Sequence, residues 1–133
     1  MATFPFTLVT PEQVILSEEA EMVTLRAEGG DIAYLAGHVP FIGEVEPTVA
    51  TAHLEGGEQR QVAVNGGFVE VDPDGSTVLL ANEAVVPGAL DRDQAGRDRD
   101  EASARASDQP DDQAARRSLQ WAEARLALAG GSS

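Results

Sequence analysis

The side chains able to perform chemistry are few in this chain. The two histidines, His38 and His53, belong to neither an H-x-x-x-H nor an H-E-x-x-H spacing, the patterns typical of a zinc site. The chain contains no cysteine, which excludes a thiol nucleophile, a disulfide framework and Cys-ligated zinc. All nine basic residues are arginine, and the absence of lysine excludes a Schiff base and a P-loop phosphate lysine.

Other catalytic patterns are also missing from the sequence. Neither a G-x-S-x-G elbow nor a G-x-G-x-x-G phosphate loop occurs. The adjacent carboxylates Glu18-Glu19 and Asp111-Asp112 are typical of a solvated turn and of the first turn of a helix. We therefore predict no catalytic residue, no metal ion and no cofactor.

One segment, residues 30–41, combines a short strand with a distinctive loop. The strand leads into Gly37-His38-Val39-Pro40, in which glycine permits an unusual backbone angle and proline stiffens the exit. A rigid loop that carries a histidine between apolar neighbours is able to present a recognition surface. The alternative is a tight turn between strands in which backbone groups satisfy His38.

The charge of the chain limits its partners. The 133 residues carry a formal net charge of −14, which argues against direct binding to nucleic acid or anionic lipid and favours a basic protein partner. No apolar run approaches the roughly 20 residues that span a bilayer, and the N-terminus lacks the basic region of a secretory signal. We expect a location in the cytosol or at the cytosolic face of a membrane.

The first 86 residues predict many short strands. Phe4, Phe6 and Leu8 alternate, as in a half-buried strand, and the turns between runs contain glycine or proline. Strands at this spacing indicate an antiparallel sandwich or barrel. Across Gly66-Gly67 the apolar positions change from even to odd, which predicts a bulge or a tight bend. The predicted strands cover residues 4–8, 14–16, 23–27, 32–35, 41–46, 48–54, 58–64, 68–72 and 76–82.

Residues 91–133 predict two helices, after a linker at residues 87–90. Asp91 is expected to cap the first helix with Gln94 as its capping-box partner, and this helix spans residues 92–106. Asp108 is expected to cap the second helix, with Pro110 in its first turn and an end at Gly130-Gly131. The predicted apolar seam of the second helix consists of Ala115, Leu119, Ala122, Leu126 and Ala129.

The first helix offers only alanines as apolar side chains. Alanine burial supplies little free energy, and a helix of about 15 residues is marginal alone in water. We therefore expect the helical hairpin to be held weakly on the strands and to be able to detach.

Four segments together resemble the epsilon subunit of the F-type, proton-translocating ATP synthase. Residues 8–12 are similar to the opening strand and turn of that family, and residues 28–40 to its glycine-rich strand and Gly-His-x-Pro loop. Residues 64–71 resemble its Gly-Gly-Phe strand, and residues 77–81 the strand that follows. The resemblance implies an α+β fold, in which an N-terminal β-sandwich precedes a C-terminal antiparallel hairpin of two helices.

The resemblance also implies a non-catalytic role and a set of partners. In this family the sandwich packs on the gamma subunit and on the c-ring within the rotor, and the hairpin extends to the alpha/beta catalytic head and inhibits ATP hydrolysis. The resemblance implies that the subunit contacts the membrane only through the complex, at the cytoplasmic face of the membrane. The segment from Asp31 to Phe41 matches the rotor contact. The candidate partner-binding residues are Asp31, His38, Val39, Pro40, Phe41, Arg116, Arg117 and Arg125.

The three arginines are chosen on charge, since seven of the nine arginines follow residue 90 and would suit an acidic surface on the head. Alternatively, they lie on solvated helix faces with acidic partners one turn away.

Some bacterial members of the family bind ATP through an Ile/Leu-Asp-x-x-Arg-Ala pattern. The matching positions here are Leu90, Asp91, Gln94 and Ala95, so glutamine replaces the arginine. Because the charge and the fork of the guanidinium are lost, we expect no ATP binding.

Two other classes of function remain as alternatives. A free-standing β-sandwich that binds a carbohydrate or a peptide would need an exposed aromatic platform, and the chain has six aromatic residues. A small hydrolase would need a nucleophile and a base, which the sequence does not supply.

Overall fold

The computed structural model describes residues 2–27, 30–37 and 39–130. Within these residues, eight strands precede two helices. The strands are β1 (Phe4–Val9), β2 (Val14–Ala20), β3 (Met22–Ala27), β4 (Gly30–Leu35), β5 (Phe41–His53), β6 (Gln59–Val71), β7 (Thr77–Ala81) and β8 (Ala84–Val85). The helices are α1 (Arg92–Asp108) and α2 (Gln113–Gly130).

The strands form one sheet that folds over on itself. The order is β2-β1-β7-β6-β5-β3-β4, with β8 beside β6. Although β1 and β4 are far apart in this order, the rings of Phe4 and Tyr34 are only 6.2 Å apart, so the two ends of the sheet enclose a common core. This confirms the predicted β-sandwich followed by two helices.

The alternation of apolar residues correctly predicts which side chains enter the core. Phe6 and Leu8 of β1 are almost completely buried, as are Val23 of β3 and Leu79 of β7. One feature differs from the antiparallel prediction, because β1 and β7 pair in parallel.

The prediction divided each of the two central strands in two. The structure has β5 and β6 as continuous strands of 13 residues each, paired without a register shift from Phe41 opposite Val71 to His53 opposite Gln59. Pro47 lies within β5, although proline lacks the N–H group that a ladder needs. Asn65, opposite Pro47, directs its N–H and C=O groups to Glu83 and Asn82. The side of Pro47 that lacks an N–H group therefore faces β3, and the register of the β3–β5 ladder is already irregular there.

The predicted bulge at Gly66-Gly67 is wrong for the β5–β6 ladder, which continues in register. The structure has the predicted bend instead, with φ at +76° for Gly66 and +142° for Gly67. Val64 before them and Val69 after them both reach the core. Any Cβ atom at Gly67 would lie 2.0 Å from the Leu80 carbonyl oxygen, so only glycine fits there.

The boundaries of the helices differ from the prediction. Asp91 caps α1 as expected, accepting a 3.0 Å hydrogen bond from the Gln94 N–H, but the Gln94 side chain bonds to Asp98 and leaves the capping box incomplete. Because α1 continues through Asp108, that residue does not cap α2. Asp112 takes this place by accepting from the Ala115 N–H at 3.0 Å. Pro110 lies before α2, which includes Gly130.

Helix α2 has two buried faces, of which the sequence predicted one. The predicted seam contains the buried Ala115 and Ala122, with its other members partly exposed. The missed face consists of Trp121, Ala124 and Leu128, which cluster with Ala63 of β6. Through this face α2 packs on β5 and β6.

Candidate partner-binding surface

A row of exposed apolar side chains crosses the outer face of the sandwich. Val14 of β2 lies opposite Val9 of β1, which lies opposite Leu80 of β7, which lies opposite Phe68 of β6. Residues paired across a ladder point to the same face. Val14, Leu80 and Phe68 are each more than half exposed. We call the five residues Val14, Val9, Leu80, Phe68 and Ile42, the last of which belongs to β5, the apolar strip.

Carboxylates interrupt the strip on its β5 side. Glu44 lies opposite Phe68, and Glu70 lies opposite Ile42. A hydrogen bond and charge repulsion from Asp72 raise the pKa of Glu70, because a second negative charge nearby disfavours ionisation. The strip therefore meets a surface of negative charge.

The predicted loop is only partly joined to this surface. Val39 is 70% exposed and, with the exposed Pro40, leads directly into β5 next to Ile42. Phe41 turns inward and packs edge to face on Tyr34, with 5.9 Å between ring centroids. His38 lies outside the described residues.

Asp31 belongs to another part of the molecule. It lies on β4, at the far end of the strand order, and forms a 2.9 Å ion pair with Arg26 of β3. The structure thus brings Val39 and Pro40 to the strip but leaves Asp31 away from it.

The three candidate arginines all contact groups within the chain. Arg116 donates to the Pro110 carbonyl. Arg117 lies 3.6 Å from the Glu44 carboxylate, so it joins α2 to the edge of the strip. Arg125 forms a 2.9 Å ion pair with Asp98 of α1 and lies over the Trp121 ring.

Arg125 joins the two helices to each other. The alternative given in the sequence analysis instead places its acidic partner one turn away on the same helix. Hydrogen bonding from Gln94, followed by that from Arg125, lowers the pKa of Asp98.

The four positions of the ATP-like pattern also have structural contacts. Leu90 packs against the Trp121 cluster, Asp91 caps α1, and Ala95 is fully buried. The Gln94 amide donates to Asp98 at 2.8 Å and accepts from Arg97 at 2.9 Å. These contacts account for all four residues without a ligand. Among the described residues, no group of three or more acidic or histidine side chains is arranged to hold a metal ion.

Comparison with known proteins identifies the family. The model of the β-sandwich domain of the ATP synthase delta/epsilon chain matches residues 3–87. The chain belongs to this family. It is similar to the ATP synthase epsilon chains of Bacillus thuringiensis and Bacillus cytotoxicus, with 41% identity over 83 residues in each case. That match covers 62% of this chain and 61% of each relative, so the chain spans less than two thirds of their length.

Solved structures extend the likeness of this delta/epsilon family member. A chain of the Euglena gracilis mitochondrial ATP synthase is 28% identical, with a TM-score of 0.78, and the match covers 92% of this chain and 79% of that one. A chain of the Tetrahymena thermophila mitochondrial ATP synthase shares the fold at 15% identity, with a TM-score of 0.54 over 71% and 70% of the two chains. The predicted resemblance to the epsilon subunit is thereby confirmed.

Two further observations concern this family member. In the part of the chain that the structure describes, neither helix is long and apolar enough to span a membrane. Of the six aromatic residues, all within that part, Phe68 alone is more than half exposed. The flat aromatic platform that a carbohydrate-binding module would need is therefore not formed.

The sequence interpretation missed the apolar strip. The signal was present, because Val69 and Val71 of β6 are core residues and the positions between and beside them must face outward. Phe68 and Leu80 both lie within predicted strands, but the pattern alone does not show that the two side chains share one outer face.

Proposed function

We propose that this chain is the non-catalytic epsilon subunit of the central stalk of an F-type ATP synthase. In this role it binds the gamma subunit and the c-ring and couples proton translocation to ATP synthesis on other subunits. The observation that carries the proposal is the apolar strip. A soluble domain rarely leaves a contiguous apolar surface bare unless a partner covers it.

The comparisons support this assignment at the level of the complex. The Euglena neighbour was solved within an assembly that contains F1 and the c-ring. By this analogy, we assign the apolar strip and the adjoining Val39-Pro40 to the rotor contact, and we place the subunit peripherally at the cytoplasmic face of the membrane. His38 is the remaining candidate for the same contact, whereas Asp31, which lies away from the strip, would need a separate contact.

We further propose that the hairpin inhibits ATP hydrolysis when it leaves the sandwich for the alpha/beta head. Two contacts with the sandwich are polar and partly exposed: Arg117 with Glu44 at 3.6 Å, and the Gln120 amide with Glu46 at 3.3 Å. The exposed ion pair contributes at most about 1 kcal/mol, and the Gln120 contact is a single hydrogen bond from a neutral amide. Detachment breaks the Arg117–Glu44 pair and makes Arg117 available to an acidic surface of the head, for which Arg116 and Arg125 are the other candidates.

Co-purification tests the main proposal. The tagged chain is co-expressed with the gamma subunit and the c-subunit of its own organism, and the wild type is expected to recover both. The double variant Phe68→Ala, Leu80→Ala removes two exposed side chains and should lose the gamma subunit while it remains folded. Val86→Ala, which alters an exposed apolar residue outside the strip, is the matched control. Recovery of the wild type as a lone monomer would contradict the proposal.

A further inference from the structure

Four members of the apolar strip, Val14, Val9, Leu80 and Phe68, form the first of two adjacent rows on the same outer face. The second row runs from Ser17 through Thr7 and Val78 to Glu70 and Ile42, as the strand registers show. In the first row the last member is Glu44, opposite Phe68. Each row therefore begins with small or apolar side chains on β2 and β1 and reaches a carboxylate on β6 or β5.

The charged side chains that belong to these two rows are all acidic. Among the residues of the two rows, Glu44 and Glu70 are the ionisable ones, and neither row contains an arginine. Glu44 already has Arg117 within 3.6 Å, whereas Glu70 stands between Ile42 and Val78 on the neighbouring strands and the nearby Asp72 raises its pKa. A cation placed beside Glu70 and Asp72 would relieve the repulsion between the two carboxylates.

This charge distribution selects among the possible occupants of the strip. A second copy of the chain would bring carboxylates against carboxylates, and each copy has a net charge of −14. An anionic lipid surface would be repelled in the same way. A protein surface with an apolar centre and a basic rim matches both the side chains and the charge.

We propose that the strip docks a protein surface whose apolar centre covers Phe68 and Leu80 and whose basic side chain pairs with Glu70 and Asp72. This inference rests on the proposed function, in which that partner is the gamma subunit. The inference adds a requirement beyond the apolar contact. The partner must also place a basic side chain beside Glu70 and Asp72, at the corner of the strip where these carboxylates lie.

Association kinetics test the requirement. The rate constant for binding of the full chain to purified gamma subunit is measured at several salt concentrations. Because rim charges act mainly on association, Glu70→Gln is expected to slow association about threefold at low salt and to flatten the salt dependence. Glu58→Gln removes the same charge from an exposed residue at the opposite end of β6 and should behave as the wild type. Phe68→Ala should lower the affinity at least about tenfold at every salt concentration, since its contact is apolar.

The outcomes separate the two proposals. If the wild type binds gamma but Glu70→Gln and Glu58→Gln show the same rates and salt slopes, the basic rim is refuted while the proposed function stands. If the wild type does not bind gamma at all, both are refuted. If the chain alone forms a dimer that Phe68→Ala abolishes, the strip belongs to a second copy and the inference is overturned.

Discussion

Single residues decide where the sandwich changes direction and how the hairpin holds together. Gly67 occupies the point at which β6 turns from one layer to the other, with a backbone angle and a close contact that exclude a side chain. Arg125 is only 13% exposed and joins Asp98 to the face of Trp121. The identity of each of these residues is fixed by a contact with an element distant in the sequence.

Gly67→Ala is expected to lower the free energy of unfolding by at least about 3 kcal/mol. The methyl group meets the Leu80 carbonyl, and the positive φ adds backbone strain. Urea denaturation followed by circular dichroism measures the change. Gly96→Ala, in α1, meets no atom within 4 Å and should instead stabilise by up to about 1 kcal/mol. Equal unfolding midpoints for the two variants would contradict this account.

The Asp98–Arg125 contact predicts a loss of hairpin stability in acid. The pKa of Asp98 is lowered in the folded chain, so its contribution is fully present above the usual aspartate value of about 3.9. This contribution to stability is lost as the pH falls from about 3.9 through the lowered pKa of Asp98. The protection factors of the α2 amides, which correct for the intrinsic pH dependence of exchange, should fall across this window in the wild type.

Asp98→Asn should remove that acid-dependent step and leave exchange in α2 faster at neutral pH. Asp100→Asn, two residues further along α1, provides the same substitution without the link to α2 and should follow the wild-type profile. An unchanged profile in Asp98→Asn would show that the contact does not stabilise the hairpin.

At the scale of elements, α2 is the piece that connects the helices to the sandwich. One of its faces carries the small residues Ala115 and Ala122, and the other places Trp121 and Leu128 on the sheet beside Ala63. Because of this second face, the apolar contact between the hairpin and the sandwich is larger than the alanine-rich sequence of α1 predicts.

Leu128→Ala is expected to weaken the docking of α2 by about 2–5 kcal/mol, the usual cost of truncating a buried leucine. Trp121, the only tryptophan, is 9% exposed and serves as a reporter, so its fluorescence emission should move to longer wavelength. Leu126→Ala, a change to a partly exposed residue of the predicted seam, should move the emission less. If the two variants emit alike, the second face does not hold the helix.

The sequence predicted the elements well where a local rule applies. The alternation in β1 and the cap at Asp91 depend on neighbouring residues, and both are confirmed. The continuity of β5 through Pro47 depends on an irregular ladder with β3, and the start of α2 depends on where α1 ends; neither is visible in a local pattern. The strip was missed for a related reason, because it is assembled from five strands whose order only the fold reveals.

At the scale of the whole molecule, the sandwich has one outer surface covered by α2 and another left bare. The Arg117–Glu44 ion pair lies where the two surfaces meet. The strip and the docked hairpin are thus neighbours on the sandwich.

Tethering the hairpin tests its proposed inhibitory role. Since the chain has no cysteine, Glu46→Cys and Gln120→Cys provide a unique pair that a short bis-maleimide can join. The linked subunit, assembled into the synthase, should allow faster ATP hydrolysis than the wild type because the hairpin cannot reach the head. Gln120→Cys alone, treated with the same reagent, is the control. Hydrolysis that is unaffected by the link would contradict the inhibitory role.

The unbroken pairing of β5 with β6 has a mechanical consequence. These two strands supply Phe68 and Ile42 to the strip at one end and Val49 and Ala63 to the docked helix at the other. The register of the two strands is kept across the bend at Gly66-Gly67, so we expect a twist imposed at the strip to be transmitted through paired backbone to the strands under α2. We expect the compliance of the subunit to reside mainly in the attachment of its helices.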